Sequence, residues 1–454
     1  MSIFQNKTVV TRMAPSPTGH LHIGTVRTAL FNYLYAKRHG GKFIMRTEDT
    51  DKVRSLPIFE EEILQGLADL GITWDEFYRQ SERAPIYRGY LESMVKKGTA
   101  YVSKEESKSK PGETVEVVRL KNPNTTITFT DEIRGEITFD TTELGDFVIA
   151  RSIDDALYHF TVVIDDHEMG VTHVIRGEDH ISNTPRQILI QEAIGAKRPV
   201  YAHLPLILAP DRSKLSKRHG AVMLDEYIRE GYLKEAIINY LVLLGWNPGT
   251  DQELYSLESL THAFDISGVQ KSGAIFNIDK LKWFNKEYLQ SFSDEDFSTY
   301  IESAIPDRLR ELPQFSTERL QKLIGLMRER SSTRTDVTND CNSGEYDFAF
   351  TAPHADPTLI KWKNDATPRE TLPRLQKLAE LIATIPENAD AGVIKDSLFK
   401  YAEEVGKGEV LWPLRTSLTG RERSPDPFTV ISVIGSPEAY KRIITACDTI
   451  LRAS

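Results

Sequence analysis

Cysteine is nearly absent: the 454 residues contain two, Cys341 and Cys447. They lie far apart with no further Cys or His at ligand spacing. That excludes a disulfide framework or a zinc knuckle built on them, and leaves both as ordinary core or surface positions. Long apolar runs are missing too. The longest mostly apolar stretch, Ala236 to Trp246, is interrupted by Asn239 and Tyr240 and falls short of the roughly 18 residues that cross a bilayer. The opening residues, MSIFQNKTVVTR, lack the basic start and sustained apolar core of a secretory signal, so a cytoplasmic location is expected. Positive charge is not in excess either, since 56 Lys and Arg stand against 66 Asp and Glu for a net charge of −10. This excludes wholesale coating of nucleic acid but permits a local basic face.

What is present is ordinary soluble globular composition, with 40% hydrophobic and 27% charged residues. The length predicts about three domains at roughly 150 residues each. The chain opens as strand, helix, strand. Thr8 to Met13 is β-rich, Val26, Leu30, Leu34 and Tyr35 share a helical face up to Arg38, Gly40 and Gly41 stop the helix, and Lys42 to Thr47 returns as a strand. That pattern is a right-handed βαβ unit of the nucleotide-binding type. Further helices are predicted from Ser55 and Pro57 to Gly71 and from Ile86 to Lys97. Short β-rich runs follow at Val115 to Leu120, Ile127 to Thr130 and Ile137 to Phe139, with KEESKSKPGE at residues 104 to 113 as a solvated loop.

Alternation resumes with strands at Tyr158 to Ile164 and Thr172 to Arg176, a helix from about Thr184 to Ile194, and an apolar run from Leu204 to Leu208. The region therefore reads as one α/β domain interrupted by an insertion. Beyond about residue 214 the chain is mixed and mostly helical, and from about Phe292 helical periodicity dominates. Stripes there include Leu320, Leu323, Ile324 and Met327, then Val430, Val433 and Ile434, then Tyr440, Ile443, Ile444 and Ile450. Prolines 353, 357 and 368 are expected to mark a hinge between two helical bundles.

Two segments carry the chemistry. Residues 12 to 25 read RMAPSPTGHLHIGT, between the first strand and the first helix. A helix N-terminus offers unpaired N–H groups and partial positive charge, so the loop from Pro15 to Thr25 is suited to cradle a polyphosphate. Gly24 would let oxygens approach the backbone, and His20 and His22 would donate hydrogen bonds. A tight turn with solvated histidines is the plain alternative. Residues 214 to 218 read KLSKR, and a mobile loop carrying Lys214, Lys217 and Arg218 can meet the charge that develops on a departing pyrophosphate. An isolated loop of this kind would be only a solvated basic turn. No Cys, Asp or Glu stands beside His20 and His22 at ligand spacing, and Asp165, Asp166, His167 and Glu168 are expected to form turns and caps. No protein metal site is expected.

Together, and in this order, the two segments resemble the signatures of the bacterial-type glutamyl-tRNA synthetases, class I aminoacyl-tRNA synthetases. HIGT at residues 22 to 25 stands at the HIGH-type position and KLSKR at the KMSKS-type position. The resemblance continues through RTALFNYLYAKRHGG, RTEDTD at residues 46 to 51, DDHEMGVTHVIRGEDHISNTPRQ at 165 to 187, NYLVLLGW at 239 to 246, FNIDKLKWFN at 276 to 285 and LRTSLTG at 414 to 420. It implies an α/β Rossmann-type catalytic domain split over residues 1–86 and 155–213, with an inserted α+β acceptor-binding domain at 87–154. A mixed stem-contact domain at 214–293 and all-α anticodon-binding bundles at 294–363 and 364–454 complete the expected architecture.

The same resemblance implies the activity: glutamate is activated with ATP to glutamyl-adenylate and pyrophosphate, then transferred to the terminal ribose of tRNA(Glu). It also implies an ATP site at Pro15, Ser16, Pro17, Thr18, Gly19, His20, His22, Gly24, Thr25, Lys214, Leu215, Ser216, Lys217 and Arg218. His22, Gly24, Lys214, Lys217 and Arg218 would carry the catalysis. A glutamate site is implied at Arg12, Ala14, Ser16, Glu48, Tyr158 and Arg176. Arg12 would hold the side-chain carboxylate, because a planar guanidinium can pair both of its oxygens; Glu48 would hold the ammonium. Mg²⁺ is expected with ATP, held mainly by phosphates and water.

The chain departs from the family at Thr25, where the final histidine of HIGH would stand, and in the insertion, which is short. Residues 101 to 122 have no Cys or His, so no structural zinc is expected. Basic residues in MRERSSTR at 327 to 334 and LRTSLTGRERS at 414 to 424 are either a phosphate-tracking face or solvated helix ends. Within the enzymes, a glutaminyl-tRNA synthetase would resemble PEPNG where this chain has PSPTG and would carry β-barrel anticodon domains; the tRNA-modifying relatives lack the anticodon half. An enzyme that also charges tRNA(Gln) and a non-catalytic tRNA-binding scaffold are the remaining alternatives. No membrane partner is expected, and a monomer is the default.

Overall fold

The computed structural model describes residues 8–106, 112–216, 218 and 222–453. The chain divides into two compact units, residues 1–285 and 286–454.

The first unit begins as expected. Strand β1 (Val10–Met13) leads into helix α1 (Ile23–Arg38), and β2 (Lys42–Thr47) returns parallel to β1 with Arg12 opposite Ile44. Val26, Leu30 and Leu34 on α1 are completely buried. The turn after α1 has no room for a side chain at Gly41, where a Cβ would stand 2.1 Å from the Val9 carbonyl oxygen. Helix α2 (Pro57–Asp69), strand β3 (Glu76–Arg79) and helix α3 (Ala84–Lys97) follow, and β3 pairs parallel to β2. Gly98 closes α3 at φ 76°, a left-handed value that favours glycine.

The β-rich stretch contains β4 (Ala100–Glu106), β5 (Thr114–Leu120), β6 (Thr126–Asp131), β7 (Gly135–Asp140), β8 (Val148–Ser152) and β9 (Asp155–Ala156). Residues 104 to 106, expected in a loop, pair with β5 in antiparallel register, while 107 to 111 lie outside the described residues. Their alternating exposure suits a two-stranded edge better than the charge of the segment suggested.

Residues 158 to 164, expected as a strand, are helical within α4 (Tyr158–Glu168). Phe160 through Asp166 are all buried, so the run shows no polar face and no helical period, and its β-branched residues then mimic a buried strand. Beyond α4 come β10 (His173–Gly177), α5 (Thr184–Ile194), β11 (Val200–Leu204) and β12 (Ile207–Leu208).

Strand β10 pairs parallel with β11, and β11 in turn meets β6, which pairs with β7. Thr172 joins β1 to β10: its N–H donates to the Val10 carbonyl at 2.9 Å, and its hydroxyl accepts from the Val10 N–H at 2.8 Å. From β1 the chain therefore runs outward through β2 and β3 and later returns on the other side at β10. A reversal of this kind opens a crevice beyond the carboxyl ends of the central strands. Hairpin β6–β7 extends this sheet, and Leu91, Val118, Ile127, Phe129, Ile149, Val163 and Ile188 share one core. The segment expected as an inserted domain thus shares part of its core with the α/β body.

Helices α6 (Leu224–Glu230), α7 (Lys234–Leu243) and α8 (Leu257–Ala263), a short strand β13 (Ala274–Ile275) paired with β12, and α9 (Ile278–Gln290) complete the mixed segment.

From residue 286 the described residues form no strand. Helices α10 (Asp294–Ile301), α11 (Asp307–Arg310), α12 (Thr317–Arg330), α13 (Arg334–Asn342), α14 (Pro357–Ile360), α15 (Leu372–Ile382), α16 (Ala391–Val405), α17 (Lys407–Thr419), α18 (Pro427–Ile434) and α19 (Ser436–Arg452) pack as one unit. Arg442 on α19 is buried and donates to the carbonyls of Phe348 and Leu418, both at 2.8 Å. It ties together the parts before and after the prolines expected to mark a hinge, and both lie in one compact unit. Tyr440, read as part of the closing stripe, is 41% exposed, and Ala446 and Cys447 take the buried face with Ile443 and Ile450. Cys341 is also buried, and burial raises both thiols, to about 12 for Cys341 and about 11 for Cys447.

Candidate active site

At the carboxyl ends of β1 and β10 lies a cavity of about 500 Å³. Its walls are the segment after β1, the start of α1, the start of α4, the residues after β10, and the chain from Pro205 to Leu215. The sheet reversal brings these elements together from stretches far apart in sequence, residues 12–28, 158–180 and 205–215, with Glu48 from just after β2.

The opening of α1 is built by His22. It is the N-cap in extended conformation, and its Nδ1 accepts the Gly24 N–H at 2.9 Å. That bond places the ring proton on Nε2, leaving the other edge of the imidazole a donor. Glycine at 24 serves the ring directly, because a Cβ would stand 3.1 Å from His22 Nδ1. His20 lies farther out, half exposed, with Nδ1 2.7 Å from Glu62.

Behind the cavity stands a buried charge network. Arg46, fully buried, donates from Nη1 to Asp166 at 2.7 Å and from Nη2 to Glu48 at 3.2 Å, with Asp165 at 3.8 Å. Arg12 donates from Nε to Asp166 at 3.2 Å. Asp165 receives Arg83 at 2.6 Å, Tyr87 at 2.8 Å and Gln80 at 2.9 Å. Burial pushes the Glu48 carboxyl up, opposed by Arg46 and Arg12. The carboxylates at 165 and 166, expected to cap turns, instead lie on α4 and hold arginines. Among the described residues no cluster of three or more His, Cys, Asp or Glu could hold a metal ion.

Arg176 lies on the β10 side of the cavity, 6% exposed. Its Nε donates to His203 Nε2 at 3.1 Å and its Nη2 to the Thr184 hydroxyl at 2.9 Å, so neither fixed partner is a carboxylate. Burial and then Arg12 lower its affinity for a proton. Tyr158 also lines the cavity, and burial followed by Glu48 lifts its phenol to about 12, keeping it a donor. Its hydroxyl is 3.3 Å from His180 Nδ1, a ring held down to about 4 by burial and Arg176 and hence neutral near pH 7.

Of the residues expected for the site, Arg12, Ala14, Pro15, Ser16, Thr18, Gly19, His20, His22, Gly24, Thr25, Glu48, Tyr158, Arg176, Lys214 and Leu215 line this one cavity. Pro17, Ser216 and Arg218 do not. The Pro17 carbonyl faces away, accepting the Leu56 N–H at 3.0 Å, and exposed Arg218 donates to Ser213 at 3.0 Å. Lys217 lies outside the described residues. Lys214 meets Asp179 at 3.3 Å on the cavity wall. Sequence reasoning missed Asp179 and His180, although the run RGEDH carried both. In the helical unit, Arg328 pairs with Asp294 on α10 at 2.9 Å and Arg330 with Glu345 in the turn after α13 at 2.5 Å, so both basic residues are engaged in ion pairs within the unit.

Residues 8–110 and 103–283 match the family model for tRNA synthetases class I (E and Q), catalytic domain, and residues 295–447 match an anticodon binding domain. A glutamate–tRNA ligase of Carboxydothermus hydrogenoformans is 39% identical over 95% of this chain and 98% of its own length. The chain belongs to the glutamate–tRNA ligase family. Glutamate–tRNA ligase 1 of Coxiella burnetii is 40% identical over 96% of this chain and 97% of its own. Among solved structures of the family, a glutamate–tRNA ligase from Elizabethkingia meningosepticum, in complex with its amino acid, aligns with a TM-score of 0.85 at 35% identity. It covers 98% of this chain and 100% of the other. The fold is therefore that of a class I tRNA synthetase, with a catalytic part followed by a helical anticodon-binding part.

Proposed function

We propose that this chain is a glutamate–tRNA ligase: it joins glutamate to ATP as glutamyl-adenylate, releasing pyrophosphate, and passes the glutamyl group to the 3′-terminal ribose of tRNA(Glu). The observation that carries this reading is a pair of buried arginines in one cavity, each anchored from behind and open in front. Arg12 is held through Nε by Asp166, and Arg176 through Nε and Nη2 by His203 and Thr184. The two Nη nitrogens of Arg12 and Nη1 of Arg176 have no hydrogen-bond partner among the described residues. A planar carboxylate answers such forks. In water-poor surroundings, arginines pre-placed in this way lose little on binding it.

In this reading Arg12 and Arg176 hold glutamate's carboxylate groups, with the side-chain carboxylate on Arg12. Glu48 takes the ammonium, with Ala14, Ser16 and Tyr158 shaping the pocket. The α1 N-terminus and the Nε2–H of His22 then face the ATP phosphates. The α-carboxylate oxygen of glutamate forms the new bond to the α-phosphorus as the bond to pyrophosphate breaks. Lys214, with Lys217 and Arg218 from the same loop, offsets the charge gathering on the leaving group. No protein nucleophile is needed, and positioning supplies the catalysis. The carboxylates lining the cavity, Glu48 and Asp179, are already engaged by Arg46 and Lys214. They form no cage for a cation, so Mg²⁺ would come with the ATP phosphates, and no step is assigned to it.

The hairpin and sheet between residues 100 and 156 would meet the acceptor end, and the helical unit from residue 286 the anticodon. An all-helical second unit favours glutamate over the glutamine enzymes, whose anticodon domains are β-barrels. The test is pyrophosphate exchange into ATP with tRNA present. Exchange should require glutamate and be at least about 100-fold slower with glutamine, the discrimination expected of a site built around a charged group. Exchange with glutamine and none with glutamate would refute the reading.

A further inference from the structure

The hold on Arg176 is itself held. His203, on β11, is fully buried, and its Nδ1 lies 2.6 Å from the Asp131 carboxylate at the end of β6. Asp131 is 1% exposed and also accepts the backbone N–H groups of Ile133, Arg134 and His203 at 3.0, 2.9 and 3.1 Å. A carboxylate can only accept, so the His203 proton sits on Nδ1 and a lone pair remains on Nε2. That lone pair is what Arg176 Nε–H meets at 3.1 Å. With the opposite tautomer, two N–H groups would face each other in a buried space, where an unmade hydrogen bond is costly. Thr184, also buried, fixes the second nitrogen of Arg176.

We propose that Asp131 and His203 are positioning residues for substrate recognition, a buried relay that orients the Arg176 guanidinium so that its remaining edge meets a carboxylate of the amino acid. The relay rests on the reading of Arg176 given above. It ties the turn of hairpin β6–β7 to the amino-acid cavity through two buried hydrogen bonds. A purely structural pair at the β6–β11 junction would stabilise the sheet without any preference among substrates. A positioning pair has its effect at glutamate.

Steady-state exchange kinetics on the full-length protein, with tRNA present, separate the two. His203→Phe keeps the ring's bulk but removes the acceptor. It is expected to raise KM for glutamate by about 10- to 100-fold, the loss of a hydrogen bond to a charged group, with KM for ATP changed less than about twofold. His203→Gln, which offers both a donor and an acceptor, should recover most of the loss. In an Arg176→Lys background His203→Phe should add little further, because the relay then has no guanidinium to orient. If Arg176→Lys alone leaves KM for glutamate unchanged, the reading of Arg176 fails and the relay falls with it. If Arg176→Lys raises it while His203→Phe does not, or His203→Phe raises both KM values alike, the relay alone is overturned. Should His203→Phe fail to fold, His203→Leu, which likewise lacks the acceptor, gives the same comparison, and an unchanged KM for glutamate there overturns the relay.

Discussion

Replacing Arg12 with alanine is expected to raise KM for glutamate by on the order of 10²- to 10³-fold. Truncating one side of a buried, hydrogen-bonded charge pair costs about 2–5 kcal/mol, and each 1.4 kcal/mol is tenfold. KM for ATP should stay within a few-fold. The separation follows from where the charge stands. Arg12 lies near the end of β1 with Nε fixed on Asp166, whereas the surfaces proposed for the phosphates are the α1 N-terminus and Lys214. The protein should still fold, because Asp166 keeps Arg46 at 2.7 Å once Arg12 is gone. Arg12→Lys should recover only part of the binding, since an ammonium keeps the charge and loses the fork. Steady-state exchange kinetics with each substrate varied in turn give the answer. An equal loss for glutamate and ATP would contradict the assignment of Arg12.

Arg46→Met should act on the fold. Arg46 has no exposed surface, and its guanidinium faces Glu48, Asp165 and Asp166. Those carboxylates hold it charged despite the cost of burial. Removing the cation leaves three acids to share Arg12 and Arg83. Breaking a buried pair from one side costs about 3–5 kcal/mol, because the surviving charge remains without its compensation. Urea unfolding should show a loss of that size, and Arg46→Lys a smaller one. A loss below about 1 kcal/mol would mean that water reaches the network and that Glu48 and Asp166 are not held rigid by it.

How legible the molecule was in its sequence varied with the range of the interaction. The opening βαβ unit was legible because its signals are local: an apolar face on α1, a glycine at 41 where a Cβ cannot fit, and a strand on each side. The helix ends at Gly98 and Gly435 were legible for the same reason, both having positive φ. Helix α4 was hidden because burial on every side erased its period, and the same burial hid the purpose of Asp165 and Asp166. Contiguity misled at Pro17, which sits within the phosphate-facing segment yet turns its carbonyl toward Leu56. Neither Asp131 nor His203 could be found beforehand. Their meeting with Arg176 depends on β6 and β10 flanking β11 in the sheet, an order no local pattern encodes.

Charging of tRNA with glutamate at this cavity is measured directly by aminoacylation. Purified protein should be incubated with radiolabelled glutamate, ATP, Mg²⁺ and purified tRNA(Glu), with parallel reactions holding glutamine or tRNA(Gln), and acid-precipitable label counted. The account predicts ATP-dependent label on tRNA(Glu) from glutamate and none above background from glutamine; label on tRNA(Gln) as well would identify an enzyme that serves both tRNAs. Label from glutamine alone, or no label on either tRNA from glutamate, would contradict it.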